Sequence, residues 1–177
     1  MKGLGIDDIA YTGIIAALYA FLTVTLAPFS YGVYQVRVAE ALTVLPFVYP
    51  PAIIGLFVGC LVANIFGGNG LPDIVFGSLF TFLAGLLTYQ ISKIKSKKLA
   101  IGLAPLPPVL INAFGVAIYL SKITEMSYFF VVQMVGLGEL MACYLLGIPL
   151  LLFLLSEKFP FRFSNLDKRT TGVGGLK

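Results

Sequence analysis

The 177-residue chain has no histidine, only two cysteines and few charges: Asp, Glu, Lys and Arg together make up 11% of it. The absence of histidine removes most imidazole acid–base catalysis and most catalytic zinc sites. Cys60 and Cys143 each lie inside an apolar run, without the spacing of a pair or a metal site. They read as small packing residues. Nucleotide and nucleophile motifs are missing too. No G-x-x-x-x-G-K-[ST] is present, and "GVGGLK" near the end lacks that spacing; neither HExxH nor GxSxG occurs. A protein of this kind that concentrates a solute with ATP must use an ATPase on another chain. No cofactor and no metal is expected.

What is abundant is apolar: 59% of the residues are hydrophobic and the mean hydropathy is +0.98. An average soluble domain is about a quarter charged. A soluble globule of this size has no interior large enough for so much apolar surface, so the chain reads as an integral membrane protein. The run from residue 9 to residue 27 follows Asp7 and Asp8 rather than a basic stretch, and is too long for a signal-peptide core. It reads as a retained span.

The breakers divide the chain. A first helix is expected over 8–27, stopping at Pro28, followed by the polar loop "PFSYGVYQ". A short second helix covers 36–47, a third 52–66, and "GGNGLP" turns the chain. A fourth covers 73–91, a fifth 99–120 with a kink or break at "PLPP", and a sixth 128–155 with a bend at Gly147 and Pro149. Ten of the twelve basic residues lie at Lys2, in the loop "SKIKSKK" (Lys93, Lys95, Lys97, Lys98) and in the tail (Lys158, Arg162, Lys168, Arg169, Lys177). Six spans put all ten on the cytoplasmic side, as basic loops prefer. The basic pI is then a topology signal and not a nucleic-acid footprint. The expected architecture is an all-α integral membrane protein with one six-helix domain over 1–157, cytoplasmic N and C termini, and a short basic cytoplasmic tail over 158–177. Its expected place is the plasma membrane of a bacterium, crossed several times.

Polar groups at membrane depth are costly, and so mark candidate sites. With ~1.5 Å per helical residue, Arg37, Glu40, Asn64, Asn69, Asp73, Asn112, Gln133 and Glu139 all fall in the outer half, and the inner half carries almost none. A proton relay or ion pore needs polar groups through the whole thickness. A half-depth cluster suits a pocket that captures a solute from outside. Each residue has a plainer reading as well. Arg37 and Glu40, three apart, share a helix face and can pair with each other. Asp73 follows a Gly-Leu-Pro turn and can cap a helix. Asn64, Asn112 and Gln133 can bond helix to helix. Glu139 has small neighbours and no cation at i±4, and a ligand contact is its better reading. In the first helix Gly13 and Ala17, and Ala16 and Ala20, stand at four-residue spacings that allow close helix approach. That face can pack within the chain or against a partner.

Four stretches in order, "YQVRVAEALTVLPF", "GLFVGCLVANIFGGNGLPDIVFGSLFTFLAGLLTY", "LPPVLINAF" and "GLGELMACYLLGIPLL", resemble the QueT family. The resemblance covers almost the whole chain before the tail. It implies a six-helix, S-component-like bundle: the substrate-binding S component of an energy-coupling factor (ECF) transporter for queuosine precursors. It also implies a transmembrane coupling subunit and two ATPase subunits as partners. S components dock through an Ala-xxx-Ala face of the first helix, which Ala16 and Ala20 match here. The implied ligands are 7-deazaguanines such as the aminomethyl or cyano precursor. A carboxylate, Glu139 or Glu40, suits the paired N–H groups of a guanine-like edge. Asn112, Gln133 or Arg37 suits the ring carbonyl, and Asp73 or the other glutamate a cationic aminomethyl group. Tyr31, Tyr34, Tyr119 and Tyr128 offer aromatic faces. Arg37 is expected to hold Glu40, with Gln35 and Tyr34 closing the site. Three rivals remain: an S component for another small heterocycle, a stand-alone secondary carrier, and an intramembrane enzyme.

Overall fold

The computed structural model describes residues 5–32 and 35–156, and every regular element among them is helical. Helix α1 (Ile6–Thr25) starts behind Gly5, whose N–H donates to Asp8 Oδ2 at 3.1 Å. Asp7 and Asp8 in its first turn suit the positive end of the helix. α1 ends at Thr25, earlier than expected. Pro28 does not simply stop it; it opens a separate helical turn, Ala27–Ser30, inside the segment read as loop. Proline is tolerated there because a first-turn N–H has no helical partner to lose.

The chain continues through α2 (Val38–Val48), α3 (Ala52–Phe66), α4 (Asp73–Ile91), α5 (Lys97–Thr124) and α6 (Tyr128–Leu154). Helices α1, α4, α5 and α6 are long and apolar enough to cross a membrane; α2 and α3 are apolar but shorter. Large side chains such as Phe21, Phe129 and Leu137 stand exposed on the outside of the bundle, as lipid requires.

Departures from regular helix fall where the breakers predict strain. α5 is interrupted between Leu103 and Leu106, at Ala104 and Pro105. Pro107 and Pro108 then occupy the first turn of the resumed helix, where they delete no bond. α6 widens into a π-helical segment at Met141–Gly147, directly before Pro149. Proline has no N–H for the carbonyl four residues back and its ring crowds that carbonyl, so the ladder slips there. α4 opens with another wide turn, Asp73–Gly77. α2 winds as a 3₁₀ helix over Val38–Val44 and buries residues on every side, Ala39 through Val44.

α2 runs through the interior, and the other helices surround it. Tyr49, at its end, ties it to the start of α1 by a hydroxyl bond to Asp8 Oδ1 at 2.8 Å. α3 approaches α1 with little between the backbones: a Cβ on Gly55 would lie 2.7 Å from the Thr12 carbonyl oxygen, and one on Gly59 would lie 2.7 Å from that of Ala16. An apolar core of Leu42, Leu45, Val48, Leu56 and Leu151 reaches Ala104 and Ile101, close behind the lysine loop. That end of the bundle is apolar inside. The opposite end is polar inside, in line with the asymmetry read from the sequence. The basic tail expected over 158–177 lies outside the described residues.

Candidate functional site

The polar end is built where α2 begins, α3 ends and α4 begins. The chain enters it through Gln35, a non-glycine residue with φ +31°, and the Arg37 N–H donates to the Gln35 carbonyl at 2.8 Å. Such backbone is uncommon and collects at ligand sites. Arg37 itself is extended (φ −87°, ψ 93°), one residue before the helix. It therefore does not share a helix face with Glu40: the Glu40 N–H donates to the Arg37 carbonyl at 2.9 Å, but no hydrogen bond joins the two side chains. The expectation that Arg37 holds Glu40 is corrected here. Arg37 Nη1 points at Cys60 Sγ, 3.7 Å away, and the guanidinium carbon lies 5.7 Å from the Tyr31 ring centroid. Tyr19 of α1 holds Glu40 instead, its hydroxyl donating to Oε1. Thr43 donates to the Glu40 carbonyl oxygen at 2.5 Å.

Asp73 is fully buried. Its Oδ1 accepts from the Tyr119 hydroxyl at 2.6 Å and its Oδ2 from Asn69 Nδ2 at 3.0 Å. The carboxylate takes side-chain donors, and caps no helix; Asp73 is already inside the first turn of α4. Asn64 Nδ2 bridges to the Asp73 carbonyl oxygen at 2.8 Å and to Cys60 Sγ at 3.4 Å. Thr81 also donates to Cys60, at 3.3 Å. Gly77 leaves the room for this: a Cβ there would lie 2.8 Å from both Asn64 Nδ2 and Asp73 Oδ1.

Glu139 of α6 completes the cluster. Its Oε1 accepts from Asn112 Nδ2 at 3.0 Å, tying α5 to α6. Its Oε2 is 3.6 Å from Cys143 Sγ, which is also 3.6 Å from the Glu40 carbonyl oxygen. The cysteines are thus buried and unbonded to each other, as a packing role requires, but their thiols also join the polar network.

Among the described residues, four buried polar atoms in this region have no hydrogen-bond partner: Gln35 Nε2, Arg37 Nε, Glu40 Oε2 and Asn64 Oδ1. Each such group normally costs on the order of 1–3 kcal/mol. Four together, two donors and two acceptors, are groups that a polar ligand or ordered water would satisfy.

The remaining candidates lie elsewhere. Gln133 does not face the cluster. It is exposed on the outside of the bundle, in a groove of about 460 Å³ between α5 and α6 whose walls include Phe114, Met134 and Leu137. Six residues apart on α6, Gln133 and Glu139 point about 120° away from each other around the helix, so one faces out when the other faces in. Tyr34 lies outside the described residues. Tyr128 donates to the Phe114 carbonyl at 3.1 Å, in an exposed position. On α1, Ala16 sits under Gly59 and Ala20 packs on the core, so the Ala16–Ala20 face that the resemblance offers for docking is partly taken up within the chain, whereas Gly13 and Ala17 are exposed. Tyr19 and Thr81 were not singled out by the sequence reading. The available signal was a tyrosine inside an apolar helix, whose hydroxyl needs a partner if it is buried.

A family model described as QueT transporter matches residues 9–156. A curated relative, the Queuosine precursor transporter QueT of Lactococcus lactis subsp. cremoris (strain MG1363), is 37% identical over 85 residues, 47% of this chain and 50% of the relative. The chain thus spans about half the length of the curated relative it matches. No solved structure matches. With the family match running from α1 to the end of α6, across every element that carries the polar cluster, the chain belongs to the QueT transporter family, a multi-pass protein of the plasma membrane.

Proposed function

We propose that the protein is the substrate-binding S component of an ECF transporter, and that it captures a 7-deazaguanine precursor of queuosine from outside. The observation that carries this reading is the set of four unpartnered buried atoms. A guanine-like edge presents a carbonyl beside a ring N–H and an exocyclic amine. Arg37 Nε and Gln35 Nε2 are free to donate to the carbonyl; Glu40 Oε2 and Asn64 Oδ1 are free to accept. Charge-assisted bonds of this kind are the strong ones. The name of the Lactococcus relative supports the same substrate class.

In this reading the chain crosses the membrane six times, with α2 and α3 as short spans and both termini in the cytoplasm. The lysine loop lies inside and the polar cluster opens outside. The exposed Gly13–Ala17 face of α1 docks on a coupling subunit, and two ATPase subunits supply the energy. The ligand is moved and not chemically changed.

The test is equilibrium binding of 7-aminomethyl-7-deazaguanine to the full chain purified in detergent, beside guanine and riboflavin. Tight binding of the first alone supports the reading. Binding of riboflavin, or of none of the three, overturns the substrate assignment.

A further inference from the structure

Among the described residues Arg37 is the one buried cation, 4% exposed, and its side chain is bonded to no carboxylate. It rests instead on two weak partners. Nη1 points to the Cys60 sulfur at 3.7 Å, and the guanidinium carbon lies 5.7 Å from the Tyr31 ring centroid. A thiol is a poor acceptor and a ring face a diffuse one, whereas a carboxylate can grip a guanidinium with two charged bonds. Yet Glu40 Oε2, in the same cluster, has no partner, and neither has Arg37 Nε. Both weak partners are themselves held in place. Thr81 Oγ1 and Asn64 Nδ2 donate to the same sulfur at 3.3 and 3.4 Å, so three donors converge on Cys60, which is fully buried. The Tyr31 hydroxyl donates to the Ala63 carbonyl at 2.6 Å, and its ring lies where a Cβ on Gly67 would sit. Two of the residues that touch the sulfur, Arg37 and Asn64, also carry a buried atom without a partner, Nε and Oδ1. A cysteine that only fills space has no need of such neighbours.

We infer that Cys60 is a positioning residue for ligand capture: its sulfur, with the Tyr31 ring, keeps the Arg37 guanidinium out of an ion pair with the buried acids and leaves Nε free for the ligand. The inference rests on the reading under Proposed function, in which Arg37 binds the ligand carbonyl, and deepens it. A closed pair of Arg37 with a carboxylate would satisfy both charges inside the protein, and a ligand would have to break it before binding. A weak acceptor avoids that penalty. The sulfur fixes the direction of Nη1 without neutralising the charge.

The experiment titrates 7-aminomethyl-7-deazaguanine into the full chain in detergent, unaltered and as Cys60→Ala, Cys60→Ser, Arg37→Gln and the double variant of Cys60→Ala with Arg37→Gln. Cys60→Ala removes the acceptor and is expected to lower affinity about 10-fold, the weight of one hydrogen bond to a charged group. Cys60→Ser keeps an acceptor and is expected to stay within about threefold of the unaltered protein. In the Arg37→Gln background Cys60→Ala is expected to lower affinity no further, because the group it positions is gone. Cys60→Val, which keeps apolar volume without the acceptor, is expected to repeat the Cys60→Ala pattern, and carries the comparison if Cys60→Ala unfolds at a lower temperature. An equal loss from Cys60→Ala in both backgrounds is the mark of packing alone and overturns the inference. Unchanged affinity in Cys60→Ala, or a loss in Cys60→Ser as large as in Cys60→Ala, overturns it too; all three leave the proposed function standing. Unchanged affinity in Arg37→Gln removes Arg37 from the ligand site, and absence of binding to the unaltered protein overturns the substrate reading; either takes this inference with it.

Discussion

The two oxygens of the Glu40 carboxylate have different surroundings. One oxygen is held by Tyr19 and the other has no partner. Two substitutions separate these roles. Glu40→Gln keeps the shape and removes the charge from the free oxygen. Affinity for 7-aminomethyl-7-deazaguanine is expected to fall about 10- to 100-fold, the weight of one charged hydrogen bond, as titration calorimetry will read. Tyr19→Phe acts on the other oxygen and strands a buried acceptor. It is expected to destabilise the folded protein by about 1–3 kcal/mol, seen as a lower unfolding temperature in detergent. Gln133→Leu is a useful contrast. The side chain faces outward, so ligand affinity is expected to stay within twofold; a larger drop would place Gln133 in the pocket after all.

At the scale of elements, the contact of α1 with α3 is the tightest constraint on the bundle. A methyl group at Gly59 has nowhere to go: the Ala16 carbonyl oxygen and the Tyr19 Cβ lie 2.7 and 2.8 Å from where it would sit. Gly59→Ala is therefore expected to cost on the order of 1–3 kcal/mol, the range of overpacked cores, and to loosen Tyr19 and with it Glu40. Gly13 has open space around it, with nothing within 4 Å of an added Cβ. Gly13→Leu and Ala17→Leu are expected to leave thermal stability and ligand binding unchanged while abolishing uptake in cells that contain the ATPase module. Unchanged uptake would remove the docking role from this face. On this helix Thr12, Ala16 and Tyr19 face the bundle, and Gly13 and Ala17 are exposed.

For the whole molecule, the separation of polar and apolar interior is the main feature. α4 begins at Asp73 in the cluster and ends at Ile91 beside the lysine loop, about 27 Å away at the helical rise. Opposite ends of the bundle must then face opposite sides of the membrane. A cysteine at Leu71, which is 75% exposed at the polar end, is expected to react with an impermeant maleimide in intact cells. One at Lys95 is expected to react only after permeabilisation. The native thiols are buried and give no background. Labelling of both from the same side would refute the six-span arrangement.

Much of this was legible beforehand because a membrane leaves few choices. Apolar run length, breaker position and lysine placement settle helices and their ends to within a few residues, since backbone groups in lipid have to be bonded within the helix. The deep carboxylates stand out in the sequence, because a charge at membrane depth is costly. Which way each side chain turns was decided only by the fold. Arg37 lies one residue outside the helix, so the three-residue spacing to Glu40 gives a backbone bond but no pairing of the side chains. Gln133 and Glu139 lie on one apolar helix, but one faces out and the other in. The partner of Glu40 comes from α1, 21 residues away in the chain. Periodicity reports a residue's height along a helix and its angle relative to the other residues of that helix. Which of those angles faces the interior, and the neighbour met there, follow from how the helices pack, and that packing turns on close approaches such as Gly55 and Gly59 against α1.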